Sequence, residues 1–179
     1  MEHIIEKNLV VPGTEELWEI LETVTDPEIP VLSVIDLGII RNIQKINKDE
    51  KHPSGGWEIT ITPTYSGCPA MDMISMNIEL ALFEEGFHDI EIKTILSPAW
   101  TTDWITEKGK EKLAAYGIAP PLNKVSSCTS MEADEQMAIQ CPHCKSYHTE
   151  MISRFGSTAC KSLYKCLDCL EPFDYFKCH

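Results

Sequence analysis

Four cysteines towards the end of this sequence have the type and spacing of a metal site. They form two C-x-x-C pairs, Cys141 with Cys144 and Cys166 with Cys169, and 21 residues separate the pairs. Two residues between paired cysteines let both sulfur atoms face one ion from a single tight turn. A closed shell of four sulfurs leaves no position for water, so the spacing predicts structural zinc rather than a catalytic ion. Iron in the same shell remains an alternative.

Further thiols and imidazoles leave the exact ligand set open. Cys160 and Cys178 exceed the needs of a tetrahedral ion, and three histidines lie close in sequence, namely His143, His148 and His179. A metal cluster, or a redox role for the extra thiols, is therefore a second interpretation.

Cys68 is the other residue with chemical potential. It follows the polar residues Thr64, Tyr65 and Ser66 and directly precedes Pro69, where a helix is predicted to begin. The N-terminus of a helix stabilises a thiolate through its unpaired N–H groups and its dipole. Cys68 is therefore interpreted as a reactive thiol or a transient metal ligand. The alternative is a small buried residue in a tight turn.

Two aspartates lie at breaks in the predicted elements. Asp26 opens the segment 26–30 (DPEIP), which the two prolines exclude from regular helix, and Asp36 precedes Leu37 and Gly38. Each aspartate alone is interpreted as a cap or turn residue. Each gains a functional meaning only if the fold brings it near Cys68.

Composition and charge exclude several functions. The chain has 179 residues and a formal net charge of -13, which argues against a nucleic-acid partner. No apolar stretch is long enough to cross a membrane, and the first residues lack the pattern of a signal peptide, so a cytoplasmic location is expected. In that reducing compartment the eight cysteines favour metal or thiol chemistry over disulfides.

The apolar pattern predicts six elements in the order α-β-β-α-β-α, which give a small α+β or α/β domain with helices packed on a mixed sheet. They are a helix capped by Thr14 and ending near Asp26, antiparallel strands over 39–46 and 57–62, a helix over 70–85, a strand over 90–95, and a helix over 102–116 ended by Gly117.

The domain organisation follows from changes in composition. Residues 1–125 form the α/β domain, and residues 126–138, which include Cys128, lack apolar periodicity and are interpreted as a linker. Residues 139–179 are rich in aromatic side chains, as in a zinc ribbon. About 40 residues cannot build a sufficient core alone, so the ion is expected to supply part of the folding free energy of this module.

The sequence also resembles a known family. The segments 26–30 (DPEIP), 36–39 (DLGI) and 62–69 (TPTYSGCP) are similar to the metal-sulfur cluster assembly domain found in SufT and in eukaryotic cytosolic iron–sulfur targeting factors. Together with the cysteine pairs and the segments 153–161 and 172–178, they resemble the PaaD family of phenylacetate-degradation proteins over nearly the whole chain.

The resemblance implies an accessory protein rather than an enzyme. Its partners would be phenylacetyl-CoA monooxygenase subunits, whose diiron site or iron–sulfur cluster it would help to mature. The site residues implied are Cys68, Asp26 and Asp36, with Thr64 beside them, and iron or an iron–sulfur cluster would be bound there transiently. The chain contains no hydrolase triad, phosphate-binding glycine loop or dinucleotide fingerprint.

Two other functions stay open from the residues. The chain can be a non-catalytic structural subunit that bridges the monooxygenase, or a thiol oxidoreductase that uses Cys160, Cys178 or one of the cysteine pairs.

Overall fold

The computed structural model describes residues 13–48, 52–122 and 139–177. It contains three α-helices, one 3-10 turn and seven strands within those ranges. In chain order these are α1 (Thr14–Thr23), β1 (Ile40–Ile46), β2 (Gly56–Ile61), α2 (Ala70–Glu84), β3 (Ile90–Thr94), a 3-10 turn (Thr102–Trp104), α3 (Glu107–Tyr116), β4 (Ile118–Ala119), β5 (Thr149–Ser153), β6 (Lys161–Cys166) and β7 (Pro172–Phe176). None of the described helices is both long enough and apolar enough to cross a bilayer.

The first sheet confirms the predicted mixed architecture. Its strand order is β1-β2-β3, with β1 antiparallel to β2 and β2 parallel to β3. Ile59 and Ile61 alternate along β2 onto one face, which is fully buried. Residues of α1 and α2 that recur at helical spacing belong to the same core, namely Leu17, Leu21, Ile74, Ile78 and Leu82.

The expected cap of α1 is wrong. Gly13 is the N-cap, with φ of 98°, and no side chain caps this end. Thr14 is instead the first helical residue and is buried. The helix also ends earlier than predicted, at Thr23, because Val24 is extended and its N–H donates to the carbonyl of Leu21.

The predicted helix over 102–116 is divided in two. Ile105 is extended and separates the 3-10 turn from α3, whose N-cap is Thr106. The hydroxyl oxygen of Thr106 accepts from the N–H of Gly109 at 2.9 Å, so the helix restarts at a strong cap. The predicted end is confirmed, since Gly117 has φ of 95° and its N–H donates back to α3.

The second sheet joins the two predicted modules. Its order is β4-β7-β6-β5, and β4, which directly follows α3, pairs in parallel with β7. Two residues of the ribbon segment, Cys160 and Phe176, are buried in the same core cluster as α1 and α2. The ring centroids of Trp100 and Phe176 are 6.1 Å apart. The linker predicted over 126–138 lies outside the described residues, and the domain boundaries stay a prediction.

Candidate functional site

The four paired cysteines converge on one point. Their sulfur atoms all lie within 4.8 Å of one another. The Sγ atoms of Cys141 and Cys169 are 3.8 Å apart, and those of Cys144 and Cys166 are 3.5 Å apart. Sulfurs at about 2.3 Å from a tetrahedral zinc ion are about 3.8 Å from each other, so the separations fit such an ion.

Each cysteine pair lies on the same kind of turn. In the first, the N–H of Cys141 donates to Ser146 O at 2.8 Å, and Lys145 has φ of 65°. In the second, the N–H of Cys166 donates to Glu171 O at 3.0 Å, and Leu170 has φ of 66°. In both turns a non-glycine residue in the left-handed region directly follows the second cysteine. Such a conformation is uncommon for these residue types, and here it curls the chain back beneath the sulfurs.

Backbone N–H groups favour the ionised form of one thiol. The N–H of Cys169, with that of Asp168, lowers the pKa of Cys166 to about 7. The N–H of Glu171 acts in the same direction on Cys169, but burial and the neighbouring sulfurs outweigh it and raise the pKa of Cys169 to about 12. Four sulfurs this close cannot all be thiolates in water unless a cation offsets their charge.

Side chains outside the shell brace the two turns. Asp168 lies in the second turn, and its Oδ1 is 2.9 Å from Nδ1 of His148. Its Oδ2 accepts from the hydroxyl of Ser146, in the first turn, at 2.5 Å. Among the described residues the metal-ligating group consists of the four cysteines, so His143 and His148 do not belong to it. Cys178 and His179 lie outside the described residues.

Cys68 lies at the start of α2, as predicted. It is half-buried, its N–H donates to Tyr65 O at 3.2 Å, and its own carbonyl accepts from the N–H of Met71. Gly67 just before it has φ of 83° and open space around it. The loop therefore presents the sulfur at the surface of the core rather than enclosing it.

Tyr65, which the sequence pattern does not assign to the site, interacts with Cys68 and lies within electrostatic reach of two further groups, Glu28 and Cys160. The hydroxyl of Tyr65 interacts with Cys68, and burial followed by the charges of Cys68, Glu28 and Cys160 raises the pKa of Tyr65 to about 12. Burial also raises the pKa of Cys160, and the carboxylates of Glu28 and Asp26 add to that shift. The sequence shows that Tyr65 and Cys68 are three residues apart. It does not show that Cys160 of the ribbon comes within electrostatic reach of Tyr65.

The predicted aspartates occupy different places. Asp26 is largely buried, and its Oδ1 accepts from the N–H groups of Glu28 and Ile29 at 2.7 and 2.8 Å, which fixes the turn beside Cys160. Thr64 is half-buried in the loop before Cys68.

Asp36 is engaged in the packing of α3. Its Oδ2 lies 2.5 Å from the Lys112 ammonium, and its Oδ1 accepts from the Thr106 hydroxyl. Burial acts to raise the pKa of Asp36, but the hydrogen bonds from Lys112 and Ser33 outweigh it and hold that pKa below its usual value. These contacts are structural, and a functional role for Asp36 stays a prediction.

Two family models match the chain, and their boundaries correspond to the two sites. Residues 14–85 match an iron-sulfur cluster assembly protein model and contain Cys68. Residues 125–177 match the PaaD zinc beta ribbon domain and contain the four paired cysteines.

Individual relatives cover either most of the chain or its first part. A protein of Escherichia coli assigned to a 1,2-phenylacetyl-CoA epoxidase as one of its subunits is 47% identical over 167 residues, which are 93% of this chain and 94% of the relative. An Fe-S protein maturation auxiliary factor of Porphyromonas gingivalis is 33% identical over 100 residues, which are 55% of this chain and 89% of that protein. The crystal structure of a domain of unknown function from Bacillus anthracis is 26% identical, with a TM-score of 0.46 over 55% of this chain and 89% of that one.

Proposed function

This chain belongs to the PaaD family of phenylacetyl-CoA epoxidase subunits, and from that premise we propose that it is a non-catalytic maturation factor which hands iron or an iron–sulfur cluster to that enzyme. Homology with an epoxidase subunit and with an Fe-S maturation factor supports an accessory role. The proposal goes beyond an accessory role in two respects. The cargo is iron or an iron–sulfur cluster, and Cys68 is the residue that binds it.

The observation that carries the proposal is the group of side chains around Cys68. The hydroxyl of Tyr65 interacts with Cys68 and lies within electrostatic reach of Glu28 and of Cys160 from the ribbon, and Tyr65, Cys68 and Cys160 pack on one core. All four are neutral or anionic, and burial together with nearby negative charge raises the pKa of Tyr65 and of Cys160, so a cation bound there would be stabilised. Thiolates select iron and zinc over the harder cations. Half-burial of Cys68 leaves room for a cargo that must also leave.

In this proposal the ribbon binds its metal permanently, whereas the Cys68 group binds its metal transiently. Its four cysteines would hold one zinc ion as a fixed structural element, because a closed sulfur shell has no open position for chemistry. The fit of the sulfur separations to a tetrahedral ion supports this role. Zinc therefore stays with the protein, while iron passes through the Cys68 group.

The proposed partners are subunits of the phenylacetyl-CoA epoxidase, either the oxygenase or its iron–sulfur reductase, in the cytoplasm. The net charge of -13 favours a protein client over a nucleic acid.

The test is the metal content of the client. The epoxidase subunits are produced with this chain in wild-type form, as Cys68→Ser or as Cys128→Ala, and the iron and acid-labile sulfide of each purified subunit are measured. We expect the iron and sulfide content of the client to fall severalfold with Cys68→Ser and to stay unchanged with Cys128→Ala. Cys160→Ser should fall between them, since it removes only the ribbon side of the group.

Two outcomes would overturn the proposal. Full client metal content with Cys68→Ser removes the thiol from the function. A stable, stoichiometric complex of this chain with the epoxidase, together with unchanged metal content, would favour a structural subunit that bridges the enzyme.

A further inference from the structure

Helix α2 is apolar on two opposite faces, and only one of them is covered in the described structure. The inner face enters the core through Ala70, Ile74, Ile78 and Leu82. The outer face carries Met73, Met76, Leu80 and Phe83, which are 46%, 54%, 55% and 59% exposed. An apolar face of a helix normally packs against another surface. The outer four residues are called the α2 stripe below.

The spacing of the α2 stripe is that of a coiled-coil seam. Its residues are separated by three, four and three positions, so they occupy alternating a and d sites of a heptad. Over ten residues the seam is about 15 Å long, which corresponds to nearly three helical turns. A surface of this shape fits another helix that lies along it.

A groove continues the α2 stripe towards the first sheet. Met76, Leu80 and Phe83 line it on one side, and Phe87, His88 and Ile90 line it on the other. The rings of Phe83 and His88 meet edge to face, with centroids 4.7 Å apart. The side chains of a partner can therefore insert beside α2 as well as along it.

The charges that flank the α2 stripe are all negative. Asp72 and Glu79 occupy the g sites and Glu84 an e site when Met73 is placed at a, and α2 contains no lysine or arginine. In coiled coils the e and g residues choose the partner, because opposite charges across the seam attract and like charges repel. Two copies of α2 would face acid with acid. An anionic membrane surface would be repelled for the same reason.

We propose that the α2 stripe is a docking site for one amphipathic helix of a partner protein, with apolar residues at a and d sites and lysine or arginine at the flanking sites. The proposal rests on α2 and the groove beside it and not on the side chains around Cys68, so each proposal can fail without the other.

The test uses the full-length protein, labelled with ¹³C at its methionine methyl groups. Met73 and Met76 report on the α2 stripe, and Met151, on the ribbon strand β5, is the internal control. Three synthetic helices are titrated. The first has leucine at a and d with lysine at e and g, the second replaces these lysines by glutamate, and the third keeps the lysines but has serine at a and d.

We expect the first helix to shift the Met73 and Met76 signals, to leave Met151 unchanged and to bind more weakly as salt is raised. Leu80→Glu should weaken this binding at least about tenfold, since it places a charge at the centre of the seam. Leu96→Glu is the matched control, because Leu96 is 63% exposed but lies outside the α2 stripe.

Several results would overturn the proposal. One is equal binding of the glutamate or serine helix, and another is an equal response of Met151. A third is a change of the Met73 and Met76 signals with protein concentration alone, which would make a second copy the occupant. A fourth is a change of these signals on deletion of residues 1–12, which would make that segment the occupant.

Discussion

Phe176 of the ribbon is buried in the core formed by α1, α2 and the first sheet, which is called the first core below. A substitution at Phe176 should therefore destabilise the first core. Phe176 lies on β7 but is 1% exposed within the cluster that contains Leu17, Leu21 and Trp100. Phe173, on the same strand, is 4% exposed and packs instead in the ribbon cluster, stacked on Tyr164. The same Phe→Ala substitution can therefore be made once in the first core and once in the ribbon cluster.

Phe176→Ala should lower the free energy of unfolding of the first core by about 3–5 kcal/mol, the usual loss for a fully buried phenylalanine. With a urea slope of about 2 kcal/mol per M, the midpoint of the transition would fall by about 2 M. Phe173→Ala should move the same midpoint by less, because it reaches the first core only through the ribbon.

In this assay tryptophan fluorescence reports on the unfolding of the first core. The four tryptophans of the chain all precede α3, at positions 18, 57, 100 and 104. Retention of the metal by the four cysteines, followed with a colorimetric chelator, reports on the ribbon and should decline in both variants. The reasoning is refuted if Phe176→Ala changes only metal retention and leaves the fluorescence transition within about 0.5 kcal/mol of the wild type.

Three further substitutions test local packing and charge. Gly38→Ala should cost more than about 3 kcal/mol in thermal unfolding, because φ is 65° and the new Cβ would lie 2.2 Å from Trp104 O. Gly86→Ala, with φ of 91° and nothing within 4 Å, should cost only about 1 kcal/mol, and equal losses would contradict the steric argument. Asp36→Asn should cost about 1–2 kcal/mol at pH 7, because it leaves Lys112, which is partly exposed, without its carboxylate. Hydrogen bonds hold the pKa of Asp36 below its usual value of about 3.9, so this stabilisation is present at neutral pH, begins to fall below about pH 4 and is lost as the pH passes through the lowered pKa. The two urea midpoints should converge over that acidic range, and a constant gap would contradict the ion-pair argument.

Local patterns in the sequence are sufficient for most of the fold. The alternation of Ile59 and Ile61, the helical spacing of Ile74, Ile78 and Leu82, and the stop at Gly117 each depend on near neighbours, and each is confirmed. The cysteine pairs are recognisable for the same reason, because each turn is local and tetrahedral geometry supplies the rest.

The errors in the predicted helix starts arise where two nearby residues are both suited to be the N-cap. Thr14 is a better cap by residue type, but Gly13 can adopt the left-handed conformation that the chain needs at the start of α1. Thr102 and Thr106 are both suited to cap a helix, and α3 begins at Thr106, whose hydroxyl accepts from the N–H of Gly109 and also contacts Asp36. That contact joins segments far apart in the chain, so periodicity could not reveal it.

The group of side chains around Cys68 is predictable from the sequence only in part. Cys68 is identified from its position before a helix, whereas the approach of Cys160 depends on how β6 and β7 pack against the first core. Such packing depends on the summed burial of many side chains, and no short motif records it.

The position of β7 has a consequence for the order of events during synthesis. Strand β7 follows all the other described strands in sequence, yet it lies inside the second sheet, between β4 and β6. A ribosome delivers β1 to α3 first, and these elements can collapse while the rest is still being made. Cys160 and Phe176 belong to the same core cluster as α1 and α2, so that cluster is complete only after β7 has emerged and packed. The core of a nascent chain therefore stays incomplete until the ribbon segment has been made and has folded.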